Sequence, residues 1–361
     1  MESGAYMENG LRVSVDWLSF TVTEGHYSVA DIAELLGYQL SDFSSLEHGG
    51  MGYKSALKLK GFPITIFYDG NENMGIHVTI SGSAVSEAMR AFSGSLLTPG
   101  PFGDYYEKPF DASFLSCWLS KIQSVGKISR LDLAIDDLGE NYFSMDELVQ
   151  IFESGSYVSK FRKWQNLVDR NLGSDQEKTG HTIYLGKRQS ALFLRIYDKA
   201  LEQKTDSLPW VRWELELKED RAEKAVKQLI DKDNLGSVCM AILSNSLRLI
   251  ELDNPNKSRC SINPIWQKFI DNVRPLSLYT APPEKTIARI ENWVNQQVAP
   301  SLATLLFAND GDITFLTRFI DNGMIRLNKS HLDALDKYAP GWRSIYAEAV
   351  PEKINDSTRS F

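Results

Sequence analysis

The sequence TGHTIYLGKRQSALFLRIYDK, residues 179–199, and the sequence LPWVRWELELK, residues 208–218, decide how this chain folds. Apolar and polar residues alternate in both, as they do in β-strands that have one face in a core. Only a short break separates the two segments, so we expect them to pair as neighbouring antiparallel strands. Together with the strands predicted upstream, this pattern predicts an α+β fold, in which helices cover one face of an antiparallel sheet.

One face of these two strands carries the side chains that could take part in a reaction. They are a tyrosine, three cations and two carboxylates: Arg195, Tyr197, Lys199, Arg212, Glu214 and Glu216. Such a face suits attack on a phosphodiester, because a tyrosine can form an ester, carboxylates can hold a divalent cation, and cations can neutralise phosphate oxygens. The alternative is that Tyr197 is an ordinary strand tyrosine and that the charges form a solvated face.

A third strand is predicted from SRLDLAIDD, residues 129–137, and it also has one charged face. An acidic residue in mid-strand is costly to bury unless it is paired or bound to a metal. Asp132 has apolar neighbours on both sides and is therefore a candidate metal ligand. Asp136 and Asp137 are assigned to the end of the strand, where they would begin the turn into the next helix.

These segments resemble the replication initiation factor family of rolling-circle plasmids and filamentous phages, whose relatives include relaxases of some conjugative elements. The resemblance is carried by GHTIYLGKRQSALFLRIYDK, WVRWELELKEDRA and ISRLDLAIDD, and it extends from VDWLSFTV, residues 15–22, through GIHVTISGS, residues 75–83, to Ala222. It implies a metal-dependent enzyme that nicks and rejoins one DNA strand at an origin. Tyr197 stands where the family has its nucleophile.

The resemblance and the charged face together predict the roles of the site residues. Tyr197 is expected to attack phosphorus and to retain the 5′ phosphate as an ester, so rejoining needs no ATP. Arg195, Lys199 and Arg212 are expected to stabilise the charge that develops on the phosphate. The alternative roles for the same chain are a conjugative relaxase with the same chemistry and a DNA-binding regulator that does not cut.

The predicted metal site is made of carboxylates. The sequence contains no HxH pair, so Asp132, Glu214 and Glu216 are expected to hold the ion, which favours Mg²⁺ or Mn²⁺ over Zn²⁺. His77 and His181 are single histidines in predicted strands. Each could add a nitrogen ligand, but a structural role is the more common one for such a residue.

The formal charge of −8 is unusual for a protein that binds DNA, since phosphate neutralisation by Lys and Arg supplies most non-specific affinity. The charge is unevenly distributed: residues 157–199 contain nine basic and four acidic residues, a local net charge of +5. Within this segment Lys187 and Arg188 follow Gly186 at a strand end, and we expect them to contact the DNA backbone. A solvated surface is the alternative.

The expected order of elements divides the chain into regions. Residues 1–221 form the catalytic nicking domain, and a weak likeness of GIHVTISGS to GHTIYLGKR indicates two similar α+β halves, residues 10–125 and 129–221. Capping boxes predict two helix starts, at Ser28 with Asp31 and at Ser144 with Glu147. A helical extension (222–272), a proline-rich linker (273–285), a small helical C-terminal region (286–353) and a disordered tail (354–361) follow.

The remaining sequence features bear on location and partners. No signal peptide or uninterrupted apolar run of about 18 residues is present, so a cytoplasmic protein without membrane contact is expected. No GxxxxGK[ST] loop occurs, so unwinding would need a host helicase. The expected DNA partner is double-stranded origin DNA with an exposed single-stranded nick site, and a host polymerase would extend the 3′ end. A homodimer is compatible with the sequence.

Overall fold

The structure is a computed structural model, and it describes most of the chain in two compact units, Met1–Thr280 and Ala281–Phe361. The described residues are 5–7, 10–23, 27–92, 97–99, 105–107, 112–173, 176–204, 208–270, 278, 287–327, 329–339 and 341–349. The predicted tail, 354–361, lies outside them, as does all of the predicted linker, 273–285, except Leu278.

The first unit is built on an eleven-stranded antiparallel sheet. In chain order the strands of the unit are β1 (Ala5–Tyr6), β2 (Arg12–Val22), β3 (Phe43–Ser45), β4 (Ser55–Leu59), β5 (Ile64–Tyr68), β6 (Ile76–Ser81), β7 (Leu97–Pro99), β8 (Tyr105–Glu107), β9 (Lys127–Leu138), β10 (Tyr157–Ser159), β11 (Trp164–Arg170), β12 (Lys178–Leu185), β13 (Leu192–Asp198), β14 (Trp210–Lys218) and β15 (Leu247–Leu249). The order across the sheet is β11-β12-β13-β14-β9-β2-β6-β5-β4-β3, with β1 paired to β2. Two further pairs, β7 with β8 and β10 with β15, are separate.

The two halves of the sheet repeat one strand order. In the first half β2 pairs with β6, and β6, β5, β4 and β3 follow as consecutive neighbours. In the second half β9 pairs with β14, and β14, β13, β12 and β11 follow in the same way. The position of β6 therefore matches that of β14, and the position of β4 matches that of β12. Hence GIHVTISGS and GHTIYLGKR, which lie in β6 and β12, do not occupy equivalent strands.

Helices provide the second layer of this unit. They are α1 (Val29–Leu35), α2 (Ser83–Phe92), α3 (Ala112–Val125), α4 (Met145–Ser154), α5 (Lys199–Gln203), α6 (Glu219–Lys232), α7 (Leu235–Ser246) and α8 (Pro264–Phe269). Both predicted capping boxes are confirmed, since Ser28 and Ser144 each cap a helix reciprocally with the acidic residue three positions on. Helices α6 and α7 pack together and join the sheet in one core, although their residues were expected to form an extension.

Alternation along the central strands separates the core from the charged face. Leu131, Leu133 and Ile135 of β9 are completely buried, as are the apolar residues Val211 to Leu217 that alternate along β14. These side chains pack with those of α6 and α7 in the same cluster. The intervening residues of both strands lie on the opposite face of the sheet. The predicted α+β fold, an antiparallel sheet with a helical layer, is confirmed.

The second unit, as far as it is described, is helical. Its helices are α9 (Ile287–Trp293), α10 (Ala299–Ala308), α11 (Phe315–Met324), α12 (Lys329–Tyr338) and α13 (Trp342–Ala349), with a π-helical turn at Val294–Val298 between the first two. This agrees with the predicted helical C-terminal region. Among the described residues of the chain, we find no helix with the length and apolar character needed to cross a membrane.

Candidate active site

Tyr197 lies at the centre of the charged face, next to a carboxylate on the adjacent strand. In the register of β13 with β14, Arg195 is opposite Glu214 and Tyr197 is opposite Arg212. The Tyr197 hydroxyl donates a hydrogen bond to Glu214 Oε2 at 3.3 Å. Arg195 Nη2 donates to both oxygens of Glu214, at 2.7 and 2.6 Å. The strands therefore bring the phenol, a carboxylate and a guanidinium together.

Two cations lie over the ring of Tyr197. The Arg195 guanidinium is 4.6 Å from the ring centroid, and Lys199 Nζ is 5.6 Å from it. The expectation that Lys199 continues the strand is wrong, because β13 ends at Asp198, whose side chain accepts a hydrogen bond from Leu201 N and so caps α5. Lys199 is the first helical residue, and its ammonium pairs with Glu202. It nevertheless reaches the tyrosine.

The environment of Tyr197 favours the protonated phenol. The side chain is only 5% exposed. Burial raises the pKa of Tyr197 well above its usual value, and the neighbouring Glu214 raises it further, while Arg212 and Arg195 oppose the shift. The hydroxyl is therefore a hydrogen-bond donor at neutral pH, and its use as a nucleophile requires a group that accepts the proton or positive charge close to the oxygen.

A pair of carboxylates, Asp132 and Glu216, lies further along the same face. Asp132 of β9 is directly opposite Glu216 of β14. Arg130 bridges them: it donates two hydrogen bonds to Asp132, at 2.9 and 2.6 Å, and one to Glu216 at 3.0 Å. Lys218 also pairs with Glu216. Asp132 is 1% exposed, so this pair is held almost entirely out of water.

The three predicted metal ligands can be compared with the donor set that a divalent cation prefers. Asp132, Glu214 and Glu216 offer hard oxygen donors, which suit Mg²⁺ or Mn²⁺. Burial raises the pKa of Asp132 to about 7 in spite of its bonds to Arg130, and the neighbouring Glu214 and Glu216 add to the shift. A bound cation would relieve that repulsion. Among the described residues no three His, Cys, Asp or Glu side chains converge on one point, and Arg130 lies between Asp132 and Glu216.

Asp136 is the centre of a buried ion-pair network beside the tyrosine. Arg212 donates to its two oxygens at 2.6 and 3.0 Å, Arg12 donates at 3.1 and 2.9 Å, and Trp210 Nε1 donates at 2.7 Å. Asp136 is completely buried. The expectation that it merely starts the turn is wrong, because β9 continues to Leu138 and places Asp136 opposite Arg212. Asp137 does bind the turn, through the backbone N–H groups of residues 141 and 142.

Arg212 also contacts Asp16 of β2. Its Nη1 donates to Asp16 Oδ1 at 2.8 Å. Simple alternation would place Asp16 with the core residues Leu18 and Phe20. The register of β2 with β9 shifts between Val15 and Trp17, so one residue is inserted there and Asp16 turns towards the charged face. No turn or glycine signal in the sequence marks this bulge.

The two single histidines lie in different environments. His181 is on the face of β12 opposite to Thr182, the residue that pairs with Tyr197, so it does not reach the tyrosine. Its ring bonds Asn166 at 2.9 Å and Lys178 at 3.1 Å. His77 is in the first half of the sheet, where Nδ1 shares a hydrogen bond of 2.8 Å with Thr21 Oγ1. Burial lowers the pKa of both.

Lys187 and Arg188 form the exposed turn between β12 and β13. The carbonyl of Arg188 accepts a hydrogen bond from Lys218, the same side chain that pairs with Glu216. This lysine connects the turn to the carboxylate pair. The two predicted backbone-binding cations therefore lie at the end of the sheet away from Tyr197, which is near the other end of β13.

The chain is similar to known proteins over most of its length. The putative DNA relaxase NicK of Bacillus subtilis (strain 168) is 29% identical over 319 residues, which are 86% of this chain and 85% of that protein. The rolling circle replication initiator protein from Geobacillus stearothermophilus has a solved structure that matches with a TM-score of 0.61 and 27% identity, over 76% of this chain and all of that one. A family model described as replication initiation factor matches residues 126–320, which include every strand of the charged second half. This match covers more than half of the chain, and the chain therefore belongs to the replication initiation factor family.

Proposed function

We propose that this protein starts rolling-circle replication by nicking one strand of its origin DNA, with Tyr197 as the nucleophile, and later rejoins that strand. The observation that carries the proposal is the hydrogen bond from the Tyr197 hydroxyl to Glu214, beneath the guanidinium of Arg195. Both relatives named above support the nicking chemistry, since one is named as a relaxase and the other as a rolling-circle initiator, and the second also supports the replication role.

The proposed reaction is a transesterification. A bond forms between the Tyr197 oxygen and phosphorus, while the bond from phosphorus to the 3′ oxygen breaks. The electron pair of the broken bond goes to the 3′ oxygen, which takes up a proton and leaves as a 3′ hydroxyl that can prime a host polymerase. The proton of the phenol passes to Glu214, the group that accepts its hydrogen bond. The reverse reaction rejoins the strand without ATP.

The cations have different tasks in this proposal. Arg195 is about a quarter exposed and lies over the ring, so it can reach a phosphate oxygen and neutralise the charge that develops there. Lys199 can add a second positive charge from the start of α5. Arg212 is 1% exposed and donates to Asp136 and Asp16. We therefore assign Arg212 to positioning β14 and the phenol, and not to direct contact with phosphate.

Asp132, Glu214 and Glu216 are the residues that would bind Mg²⁺ or Mn²⁺. When bound, the ion would polarise the scissile phosphate as a Lewis acid. Arg130 keeps two of these carboxylates paired in its absence. The burial of Asp132 beside Glu214 and Glu216 raises its pKa, and a bound cation would favour its ionised form, which supports this assignment.

A plasmid-nicking assay tests the function. Supercoiled plasmid that carries the cognate origin is incubated with the full chain and Mn²⁺, and the products are relaxed circles and DNA covalently bound to protein. Tyr197→Phe should abolish both products and leave DNA binding intact. Tyr184→Phe is the matched control, since Tyr184 is opposite Arg195 on the neighbouring strand and faces the same side. Binding without any nicking by the wild-type chain would instead indicate a DNA-binding regulator.

A conjugative relaxase is the second candidate, and the Bacillus relative favours it. The two roles share the same chemistry and differ in the fate of the nicked strand, which is either copied in place or transferred to another cell. A plasmid that carries the origin and this chain's gene should replicate autonomously in a host without conjugation genes if the protein is a replication initiator. Transfer that depends on conjugation genes, without autonomous replication, would support the relaxase.

A further inference from the structure

A cavity of about 920 Å³ lies at the end of the sheet where β12 turns into β13. Its walls come from the segment before β11, from the β12–β13 turn, from the first turn of α6 and from the end of α7, and Leu278 also lines it. Leu192, the first residue of β13, lines it, whereas Tyr197 is near the last. At about 3.3 Å per residue the two are roughly 17 Å apart along the strand, so this is a separate site from the candidate active site.

The cavity is lined by an excess of positive charge. Its basic residues are Lys160, Arg162, Lys163, Lys187 and Arg221, and none of the described residues that line it is acidic. Lys160 donates to Asn245 at 2.7 Å. Arg162, Lys163 and Lys187 are exposed, and within the described part of the chain their side chains enter no ion pair. Three cations are thus available to an anionic ligand.

One wall of the cavity offers an aromatic surface. Phe161 is half-buried and packs against the turn at Gly186, where a Cβ atom would come within 3.1 Å of its Cδ1. Gly186 has a φ of +95°, a left-handed conformation that favours glycine. Leu192 and Ile242 add apolar surface, and Asn245 supplies a polar group. A ring held beside several cations is the combination by which proteins bind single-stranded nucleic acid.

We infer that this cavity binds a nucleotide of the single DNA strand next to the nick, with its phosphate at Arg162, Lys163 and Lys187 and its base against Phe161. The inference rests on the proposed function. The volume lies within the range of sites for nucleotide-sized ligands, roughly 300–1,000 Å³. Lys218 joins the two sites physically, because its ammonium binds the turn carbonyl of Arg188 and pairs with Glu216. The cavity lies on the helical side of the sheet, so a strand that leaves Tyr197 on the charged face would follow β13 and pass round its end at the β12–β13 turn to reach the cavity.

A binding experiment tests the cavity independently of cleavage. The full chain with Tyr197→Phe is titrated into fluorescein-labelled (dT)20, and anisotropy is recorded over a series of salt concentrations. Replacing both Arg162 and Lys163 by Ala should weaken binding at least tenfold and reduce the slope of log K against log salt by about 1.4. Replacing Lys121 and Lys227 by Ala removes the same charge from exposed helix positions outside the cavity and should have little effect.

Photocrosslinking tests the aromatic contact. In (dT)20 with 5-iododeoxyuridine, ultraviolet light should produce a crosslink to Phe161, and Phe161→Leu should remove it and weaken binding by roughly tenfold. Equal affinity of the two double variants, with crosslinks elsewhere, would overturn the inference. The inference would also be overturned if free dTMP abolished the Phe161 crosslink whereas unlabelled (dT)20 did not, because the ligand would then be a free nucleotide. Since the protein carries Tyr197→Phe throughout, an error in the proposed nucleophile would not affect these results.

Discussion

The hydroxyl of Tyr197 donates a hydrogen bond to the carboxylate of Glu214 across the β13–β14 pair, at 3.3 Å. The same carboxylate accepts two bonds from Arg195. Glu214 thus determines the position of both the proposed nucleophile and a cation that can meet the phosphate. Its loss should therefore affect chemistry more than binding.

Glu214→Gln keeps the shape of the side chain but removes the charge and the proton acceptor. We expect the rate of covalent adduct formation to fall by about 10²-fold or more, with DNA affinity changed less than threefold. Single-turnover assays with a labelled oligonucleotide containing the nick sequence would measure both. Glu202→Gln is the control, because Glu202 pairs with Lys199 but is much more exposed. A loss of similar size in the control would contradict a special role for Glu214.

Asp136→Asn should destabilise the fold. Asp136 is completely buried between Arg12 and Arg212, and removal of one partner leaves two guanidinium groups without their shared counter-charge. We expect the free energy of unfolding to fall by about 3–5 kcal/mol, as measured by urea denaturation. Asp220→Asn is the control, since its pair with Lys127 is largely exposed and should be worth about 1 kcal/mol or less. Equal losses in both variants would exclude a structural role for the network.

The raised pKa of Asp132 predicts how the free energy of unfolding depends on pH in the absence of divalent ions. Its pKa is raised to about 7, so between pH 4 and pH 7 the folded state binds more protons than the unfolded state. Stability should therefore fall as pH rises through this window, by at most about 4 kcal/mol from this residue. Urea denaturation in EDTA at several pH values measures the effect. The difference between the wild-type curve and that of Asp132→Asn should change across the window, and parallel curves would show that Asp132 has an ordinary pKa.

Divalent ions should reverse part of that loss. We expect Mn²⁺ or Mg²⁺ at pH 8 to raise the melting temperature of the wild-type chain, because the ion binds the folded carboxylates and not the unfolded chain. Asp132→Asn combined with Glu216→Gln should abolish the rise. EDTA should stop nicking by the wild-type protein, and full activity after chelation would remove the metal from the mechanism.

The alternating pattern of the sequence is sufficient to predict the charged face. It places Tyr197, Glu214 and Asp132 on one side of adjacent strands, because a period of two residues determines which face a side chain occupies. The resemblance to a known family then links that face to DNA. The pairing of Arg195 with Glu214 follows from the register of β13 with β14, which alternation alone does not determine.

Other parts of the site depend on tertiary structure that no local pattern reveals. The bulge in β2 turns Asp16 towards Arg212, and only the register with β9 shows it. Asp136 resembles a turn residue in the sequence because a second aspartate follows it, but two arginines from distant strands make its burial in the sheet favourable. Lys199 leaves the strand because Asp198 caps a helix there. In each case a contact or cap outside the repeating pattern determined the outcome.

The central claim is that Tyr197 becomes covalently bound to the 5′ phosphate of the nicked DNA. Peptide mapping of the covalent complex tests it most directly. The complex formed with origin DNA is digested with nuclease and trypsin, and the modified peptide is sequenced by mass spectrometry. Cleavage after Arg195 and Lys199 isolates the tyrosine in the peptide Ile196–Lys199. We predict a nucleotide mass on that peptide, attached to Tyr197. A nucleotide on Tyr184 or on any other residue, with residues 196–199 unmodified, would contradict the claim.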